Sequence, residues 1–166
     1  MASDGGALRN LTNNAAPDHP PRWSPSGRHI AFYTERDGND ELYVMDADGR
    51  NPRNLSRHPS GLEWGLSWSP DGRRIAFTSI RGGPREIYVV DVDGGEPVNL
   101  TRNTRIDESP SWSPDGRYIA YTSDLGVQAR TGSGPREIFV MEADGSNPRN
   151  LTNHPAHEYF PSWSPR

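Results

Sequence analysis

Short stretches of alternating side chains, each five or six residues long, recur along the whole chain. The segments "IAFYT", "IAFTS" and "IAYTS" are rich in β-branched and aromatic residues, as are "ELYVMD", "EIYVVD" and "EIFVME". Apolar residues occur on both faces of each segment, which is typical of strands in sheets that are packed on both sides. The pattern predicts strands near residues 29–34, 42–46, 74–79, 87–91, 118–123 and 138–142.

These segments belong to a tandem repeat with a period of about 45 residues. "WSP" begins at Trp23, Trp68, Trp112 and Trp163, and "NL[TS]" has its leucine at Leu11, Leu55, Leu100 and Leu151. Proline and glycine in "SPSG" or "SPDG", and glycine in "DADG" or "DVDG", predict tight turns between the strands. Each unit therefore predicts four short antiparallel strands, here named A to D, which is the pattern of a propeller blade.

The paired motifs "PSWSPDGRYIAYTS" and "REIFVMEADGSNPRNLT" resemble the WD-like repeat of TolB-type β-propellers. The resemblance covers nearly the whole chain and implies an all-β propeller built of four-stranded antiparallel blades. It places whole blades at approximately 21–56, 66–101 and 110–152, with a D remnant at 7–12 and an A remnant at 160–165, which makes fourteen strands. Members of the family serve as the carboxy-terminal domain of TolB and as domains of tricorn-like and prolyl-oligopeptidase-like peptidases.

Three blades cannot close a ring that in this family normally has six or more. We therefore predict a homodimer with about six blades, in which the amino-terminal D strand of one chain pairs with the last blade of the other, because unpaired edge strands invite such exchange. The alternatives are the remainder of a longer propeller, including one excised from a hydrolase or peptidase, and an engineered half propeller with assembly as its only activity.

Composition and charge narrow the function classes. The net charge is −4, and the 18 basic residues are all arginines spread along the chain, so a nucleic-acid surface is not predicted. Cysteine is absent, no apolar run is long enough to span a membrane, and the start lacks the apolar segment of a signal peptide. The family resemblance nevertheless suggests the bacterial periplasm or export.

No catalytic, cofactor or metal site is predicted. The chain has no G-x-S-x-G nucleophile motif, no phosphate-binding loop and no H-E-x-x-H pair. The four "NL[TS]" sequons belong to the repeat and are not predicted to carry glycans. "D-x-D-G" is interpreted as a hairpin turn, because the later ligands of a calcium loop are missing. His154 and His157 lie three residues apart in a loop, which is a weak metal signal.

Two sets of residues are the candidates for a site. Acids precede each tryptophan of the "WSP" motif by five residues (Asp18, Glu63, Asp107 and Glu158), and they either hold backbone amides or the neighbouring blade in place or form an acidic ring that binds cations. The next position varies (His19, Trp64, Glu108 and Tyr159), and strand direction places it on the rim of the D–A and B–C loops. That rim also carries the extended loop at 123–137. Variable residues on a rigid scaffold are where specificity is expected.

Trp64 differs from the other tryptophans, which stand at the conserved repeat position. It is either an exposed aromatic anchor at the channel mouth or a plug packed beside Leu62 and Leu66. The sequence as a whole predicts a non-enzymatic scaffold or protein-binding module, with another protein bound on the D–A and B–C loop face.

Overall fold

The structure is a computed structural model that describes residues 9–125, 134–154 and 156–164. Within these residues it has twelve strands and no helix. Blade 1 contains β1 (Arg22–Trp23), β2 (His29–Thr34), β3 (Glu41–Asp46) and β4 (Arg53–Asn54). Blade 2 contains β5 (Leu62–Trp68), β6 (Arg74–Ile80), β7 (Arg85–Asp91) and β8 (Val98–Asn99). Blade 3 contains β9 (Asp107–Trp112), β10 (Tyr118–Asp124), β11 (Arg136–Glu142) and β12 (Arg149–Asn150).

Each blade is a four-stranded antiparallel meander in which every strand pairs with its neighbours along the chain. The central pair of each blade is the longest, with Phe32 opposite Tyr43 in blade 1 and Phe77 opposite Tyr88 in blade 2. The predicted all-β propeller class is confirmed, and all six predicted strands exist with bounds within two residues of the prediction. The described part of the ring is open.

Tight turns join the strands as the repeat predicts. In the A–B turn of blade 2, Gly72 donates its backbone N–H to the Ser69 carbonyl at 2.9 Å and has a φ of 70°. The C–D turn of blade 1 joins Gly49 to the Asp46 carbonyl at 2.9 Å, with a φ of 91°. "D-x-D-G" is therefore a hairpin turn whose glycine takes a left-handed conformation.

The apolar core lies between blades. One cluster joins Tyr33, Leu42 and Leu55 of blade 1 to Ile75 and Phe77 of blade 2. A second cluster joins blade 2 to blade 3 through the same repeat positions, with Ile87 against Ile119, Tyr121 and Met141. Burial of both blade faces explains why neither face of a strand is strongly polar in the sequence.

A buried glutamate at the start of each strand C holds the end of strand D. In blade 2, the Thr101 hydroxyl donates to Glu86 and accepts the backbone N–H of Ile87 at 3.1 Å, while the Asn103 N–H donates to the other oxygen of Glu86 at 3.0 Å. Blades 1 and 3 repeat this arrangement with Glu41–Ser56 and Glu137–Thr152. The serine or threonine of "NL[TS]" is thus a structural latch.

The prediction of fourteen strands is wrong, because the described residues 9–12 and 160–164 form no strand. A strand D needs strand C of its own blade as a partner, and a strand A needs strand B. Neither partner adjoins these end segments, so their backbone groups have no ladder to join. The segments nevertheless lie where a neighbouring blade would contact this one: Leu11 packs on Phe32 and Met45, and Trp163 donates its indole N–H to the Ser111 carbonyl at 2.9 Å.

Candidate functional site

The four variable residues lie along one rim of the blade array. Each contacts the residue that immediately precedes the buried glutamate of a strand C. His19 Nε2 is 2.9 Å from Asp40 Oδ1, and the Arg85 guanidinium lies 5.3 Å from the ring centre of Trp64. Arg85 also binds Glu108 across the junction between blades 2 and 3, at 2.8 Å. The contacts from Trp64 to Glu108 form a continuous line of side chains across blades 2 and 3.

The line continues at the carboxy-terminal end, where Arg136 binds the second oxygen of Glu108 and lies 5.4 Å from the ring centre of Tyr159. Glu108 is 8% exposed and has an arginine on each carboxylate oxygen. Its geometry is that of a link between blades, while Tyr159, 49% exposed, presents its ring to solvent.

Trp64 is half-buried and packs against the apolar cluster between blades 1 and 2. Its strand has an irregular register between Trp64 and Ser67, where Gly65 takes a φ of 66°. This bulge keeps the indole at the edge of the cluster, so the residue combines features of both alternatives drawn from the sequence: it fills space, and it also lines a pocket.

Two of the repeat-invariant acids, Glu63 of blade 2 and Asp107 of blade 3, accept hydrogen bonds from nearby side chains. Glu63 accepts the Ser79 hydroxyl at 2.8 Å with Arg81 3.9 Å away, and Asp107 accepts the Asn103 amide at 2.7 Å. Both acids are buried. Their contacts are those of residues that hold loops at the blade junctions.

The other two invariant acids are less enclosed. Asp18 lies 3.7 Å from Arg36 and forms an isolated bridge with Thr34, and Glu158 donates its backbone N–H to the Arg136 carbonyl at 2.8 Å.

Burial controls the electrostatics of the junctions. It raises the pKa of Glu63 from 4.5 to about 7, and the neighbouring charges of Glu41 and Asp40 act in the same direction against the Ser79 hydrogen bond and Arg81. Burial likewise raises the pKa of Glu86, with the charge of Asp107 adding to the effect. The pKa of Asp107 is raised by burial as well.

A pocket of about 430 Å³ opens on the rim between blades 1 and 2. Pro20, Leu62, Leu66 and Trp64 give it an apolar wall, and its polar side is formed by His19, Arg22, Tyr33, Asp40 and Glu63. The pocket thus brings together two of the variable positions with an invariant acid, and its lining combines aromatic rings and two carboxylates with the single arginine Arg22.

Sequence reasoning missed Asp40, Arg85 and Arg136, although a signal was present. The residue before the strand-C glutamate is arginine in "PREIYV" and "PREIFV" and aspartate in "NDELYV". This change of charge at one repeat position is what distinguishes the rim of blade 1. Most of the extended loop at 123–137 lies outside the described residues, so its predicted role as a binding loop stays a prediction.

Comparisons with known proteins agree with this architecture. A family model described as the TolB beta propeller domain matches residues 1–125. The Tol-Pal system protein TolB of Zymomonas mobilis is 38% identical over 69 residues, which cover 39% of this chain and 15% of that protein. The uncharacterized peptidase YuxL of Bacillus subtilis is 44% identical over 43 residues, covering 25% of this chain and 6% of that protein.

Solved structures show the same likeness. A putative TolB from Agrobacterium tumefaciens superposes with a TM-score of 0.71 at 28% identity, covering 84% of this chain and 47% of that one. A puromycin-hydrolyzing peptidase of Mycobacterium tuberculosis gives a TM-score of 0.74 at 21% identity over 95% of this chain and 25% of that one, a likeness of fold. The chain spans about half or less of these relatives. Because it has the repeat, the blade topology and the match to the family model over residues 1–125, the chain belongs to the TolB β-propeller domain family.

Proposed function

We propose that this chain is a non-enzymatic propeller scaffold that closes its ring with a second copy and presents its variable rim to a protein partner. Ring closure with a second copy is proposed because of the exposure of apolar residues on the two end faces, the outer faces of blades 1 and 3. One apolar residue on each end face is exposed where its repeat equivalent at an internal junction is buried: Trp23 is 57% exposed where Trp112 is 6% exposed, and Leu151 is 54% exposed where Leu55 is 1% exposed. Ile30, Phe32 and Met45 at the centre of the blade 1 face are buried, with Leu11 packed on them, and the exposed apolar residues at the edges of the end faces are typical of interaction surfaces.

The two end faces are complementary to each other. The outer face of blade 1 carries Ile30, Phe32 and Met45, at the repeat positions through which blades 2 and 3 receive their preceding neighbours. A groove of about 560 Å³ crosses this face beside Leu11 and Trp23. Blade 3 offers the opposite type of face, with Leu151 at its edge. Docking blade 3 of one copy on blade 1 of another would repeat the internal junction and displace the two end segments.

Sedimentation velocity at about 10 µM tests this closure through Leu151→Asp. The substitution places a charge in the proposed junction, and we expect it to raise the dimer dissociation constant at least tenfold. Val98→Asp is the matched control, since Val98 is 51% exposed but lies on the outer strand of the central blade. An equal effect of both substitutions, or a wild-type chain without dimers, would argue against closure between copies.

The rim is the part of the scaffold proposed to bind a protein. Exposed aromatic and apolar side chains lie on its loops, with Tyr159 49% and Leu62 48% exposed. Aromatic residues of this type are enriched at protein interfaces. A location in the bacterial periplasm, or export, stays a prediction from the family resemblance.

A propeller domain of a larger hydrolase or peptidase is the second candidate. The likeness of fold to the mycobacterial peptidase over 95% of this chain favours it. In that case further blades of the same polypeptide, and not a second copy, complete the ring. Sequencing the natural gene tests this candidate, because an open reading frame that also encodes a hydrolase domain with a nucleophile motif would support it. An engineered half propeller with assembly as its only activity predicts the same dimer as the leading proposal.

A further inference from the structure

Three potential metal ligands from separate segments converge at the rim of blade 1. His19 lies in the loop before β1, Glu35 directly follows β2, and Asp40 directly precedes β3. His19 Nε2 is 2.9 Å from Asp40 Oδ1 and 3.8 Å from Glu35 Oε1. The three ligand atoms all lie within 4.8 Å of one another.

The spacing fits donors that share one ion. Nitrogen and oxygen donors lie about 2.0–2.2 Å from zinc, so two donors at angles between 90° and the tetrahedral value are roughly 2.9–3.5 Å apart. The distance from His19 Nε2 to Asp40 Oδ1, 2.9 Å, falls at the lower end of this range, and the distance to Glu35 Oε1, 3.8 Å, lies slightly above it. Glu35 and His19 are each nearly half exposed, so a rotation of their side chains closes the remaining gap.

An independent observation on the buried side of the same pocket also points to a ligand. The side chain of Glu63 is fully buried, and its Oε2 has no hydrogen-bond partner among the described residues. The Tyr33 hydroxyl, on a residue only 6% exposed, likewise lacks a partner within the described part of the chain. Both groups line the pocket together with His19 and Asp40. A buried polar atom without a protein partner needs an explanation, and a bound ion is one of those known.

The charge balance of this corner favours a cation. At the equivalent of Asp40, blades 2 and 3 carry Arg85 and Arg136, which neutralise Glu108. Blade 1 has an aspartate there and places Glu35 beside it. Arg36 lies 3.7 Å from Asp18 and Arg81 lies 3.9 Å from Glu63, while Arg22 lines the pocket without an ion pair to Asp40 or Glu35 among the described residues. Among the described residues, His19 is the only ion-pair partner of Asp40 and Glu35.

We propose that His19 Nε2, with the carboxylates of Asp40 and Glu35, binds a divalent transition-metal ion such as Zn²⁺ at the mouth of the pocket between blades 1 and 2. Three protein ligands leave coordination positions open toward the pocket, where water completes the shell. An imidazole nitrogen beside two carboxylates suits zinc and its neighbours in the first transition series, whereas calcium prefers oxygen ligands alone.

Isothermal titration of the full chain with Zn²⁺, after treatment with a chelator, tests the site. We expect one ion per chain, at least a tenfold loss of affinity in His19→Gln and in Asp40→Asn, and at least tenfold weaker binding of Ca²⁺. His29→Gln is the matched control, because His29 lies 3.8 Å from a single carboxylate, that of Asp46, on the opposite rim. Its affinity for Zn²⁺ should equal that of the wild type.

Three results would overturn the site. The first is a wild-type chain that binds no Zn²⁺. The second is an equal loss of affinity in His29→Gln and His19→Gln. The third is binding that is abolished by replacing His154 and His157 and unchanged in Asp40→Asn. Far-ultraviolet circular dichroism of each variant establishes that it is folded. The result is independent of ring closure, which sedimentation measures separately in the presence of a chelator.

Discussion

Protonation of Glu63 should make the protein more stable as the pH falls from 8 toward 5. Burial raises the pKa of this carboxyl to about 7 in the folded chain. In the unfolded chain the pKa has its ordinary value of 4.5. Between these two values the folded state binds more protons than the unfolded state. The free energy of unfolding therefore rises as the pH falls through this interval, and the stabilisation is lost again as the pH rises through 7.

The magnitude follows from the difference between the two pKa values. At about 1.4 kcal/mol for each pH unit, the change from 4.5 to about 7 corresponds to about 3 kcal/mol at most. Glu86 and Asp107 have pKa values raised in the same direction and add to the slope. Asp71 and Asp144 have lowered pKa values, and their stabilisation is lost only as the pH falls below their ordinary value of 3.8, outside the interval.

Glu63→Gln isolates the contribution of this one residue. The amide retains an oxygen that accepts the Ser79 hydroxyl but cannot ionise. We expect the variant to be more stable than the wild type at pH 8, by up to about 3 kcal/mol, and equal to it near pH 5. Urea unfolding from pH 5 to 8, in a chelator and followed by tryptophan fluorescence, measures both profiles.

Glu96→Gln is the control, because Glu96 is exposed on the C–D loop of blade 2 and should leave the pH profile unchanged. A Glu63→Gln profile parallel to that of the wild type would show that the carboxyl titrates near its ordinary pKa, and it would contradict the prediction.

The remaining predictions concern the latch, the rim and the fold. Thr101→Val removes a hydroxyl that joins Glu86 to the backbone of Ile87, and should lower the free energy of unfolding by about 1–3 kcal/mol, while Thr104→Val at an exposed position has little effect. Trp64→Ala should cost about 2–3 kcal/mol, since the indole is half-buried; a loss below 0.5 kcal/mol, measured by thermal unfolding, would favour the exposed anchor. The far-ultraviolet spectrum should show β-structure without substantial helix.

The blade strands could be predicted because their determinants are local and repeated. Alternation within "IAFTS" and "EIYVV", bounded by turn residues, defines β6 and β7 without knowledge of the neighbouring blades. The end remnants could not be predicted in this way. Residues 9–12 contain the same "NLT" as β12 and its following loop, but a strand exists only where a partner strand is present.

The rim was predicted in part. Strand direction indicated that His19, Trp64, Glu108 and Tyr159 share one rim, but not what each of them contacts. The salt bridges of Glu108 and the convergence of Glu35 and Asp40 on His19 depend on loop conformation and on the junction between blades. These are tertiary features, and the periodicity of the sequence carries no information about them beyond the change from arginine to aspartate at residue 40.

Native mass spectrometry of the unmodified chain at about 10 µM tests the central claim most directly. If the open faces of blades 1 and 3 close a ring between two copies, the dominant species has twice the 18.5 kDa mass of the chain. We expect this dimer, and we expect a change in an end face, such as Leu151→Asp, to be required for its dissociation. A single species at 18.5 kDa would contradict closure between copies.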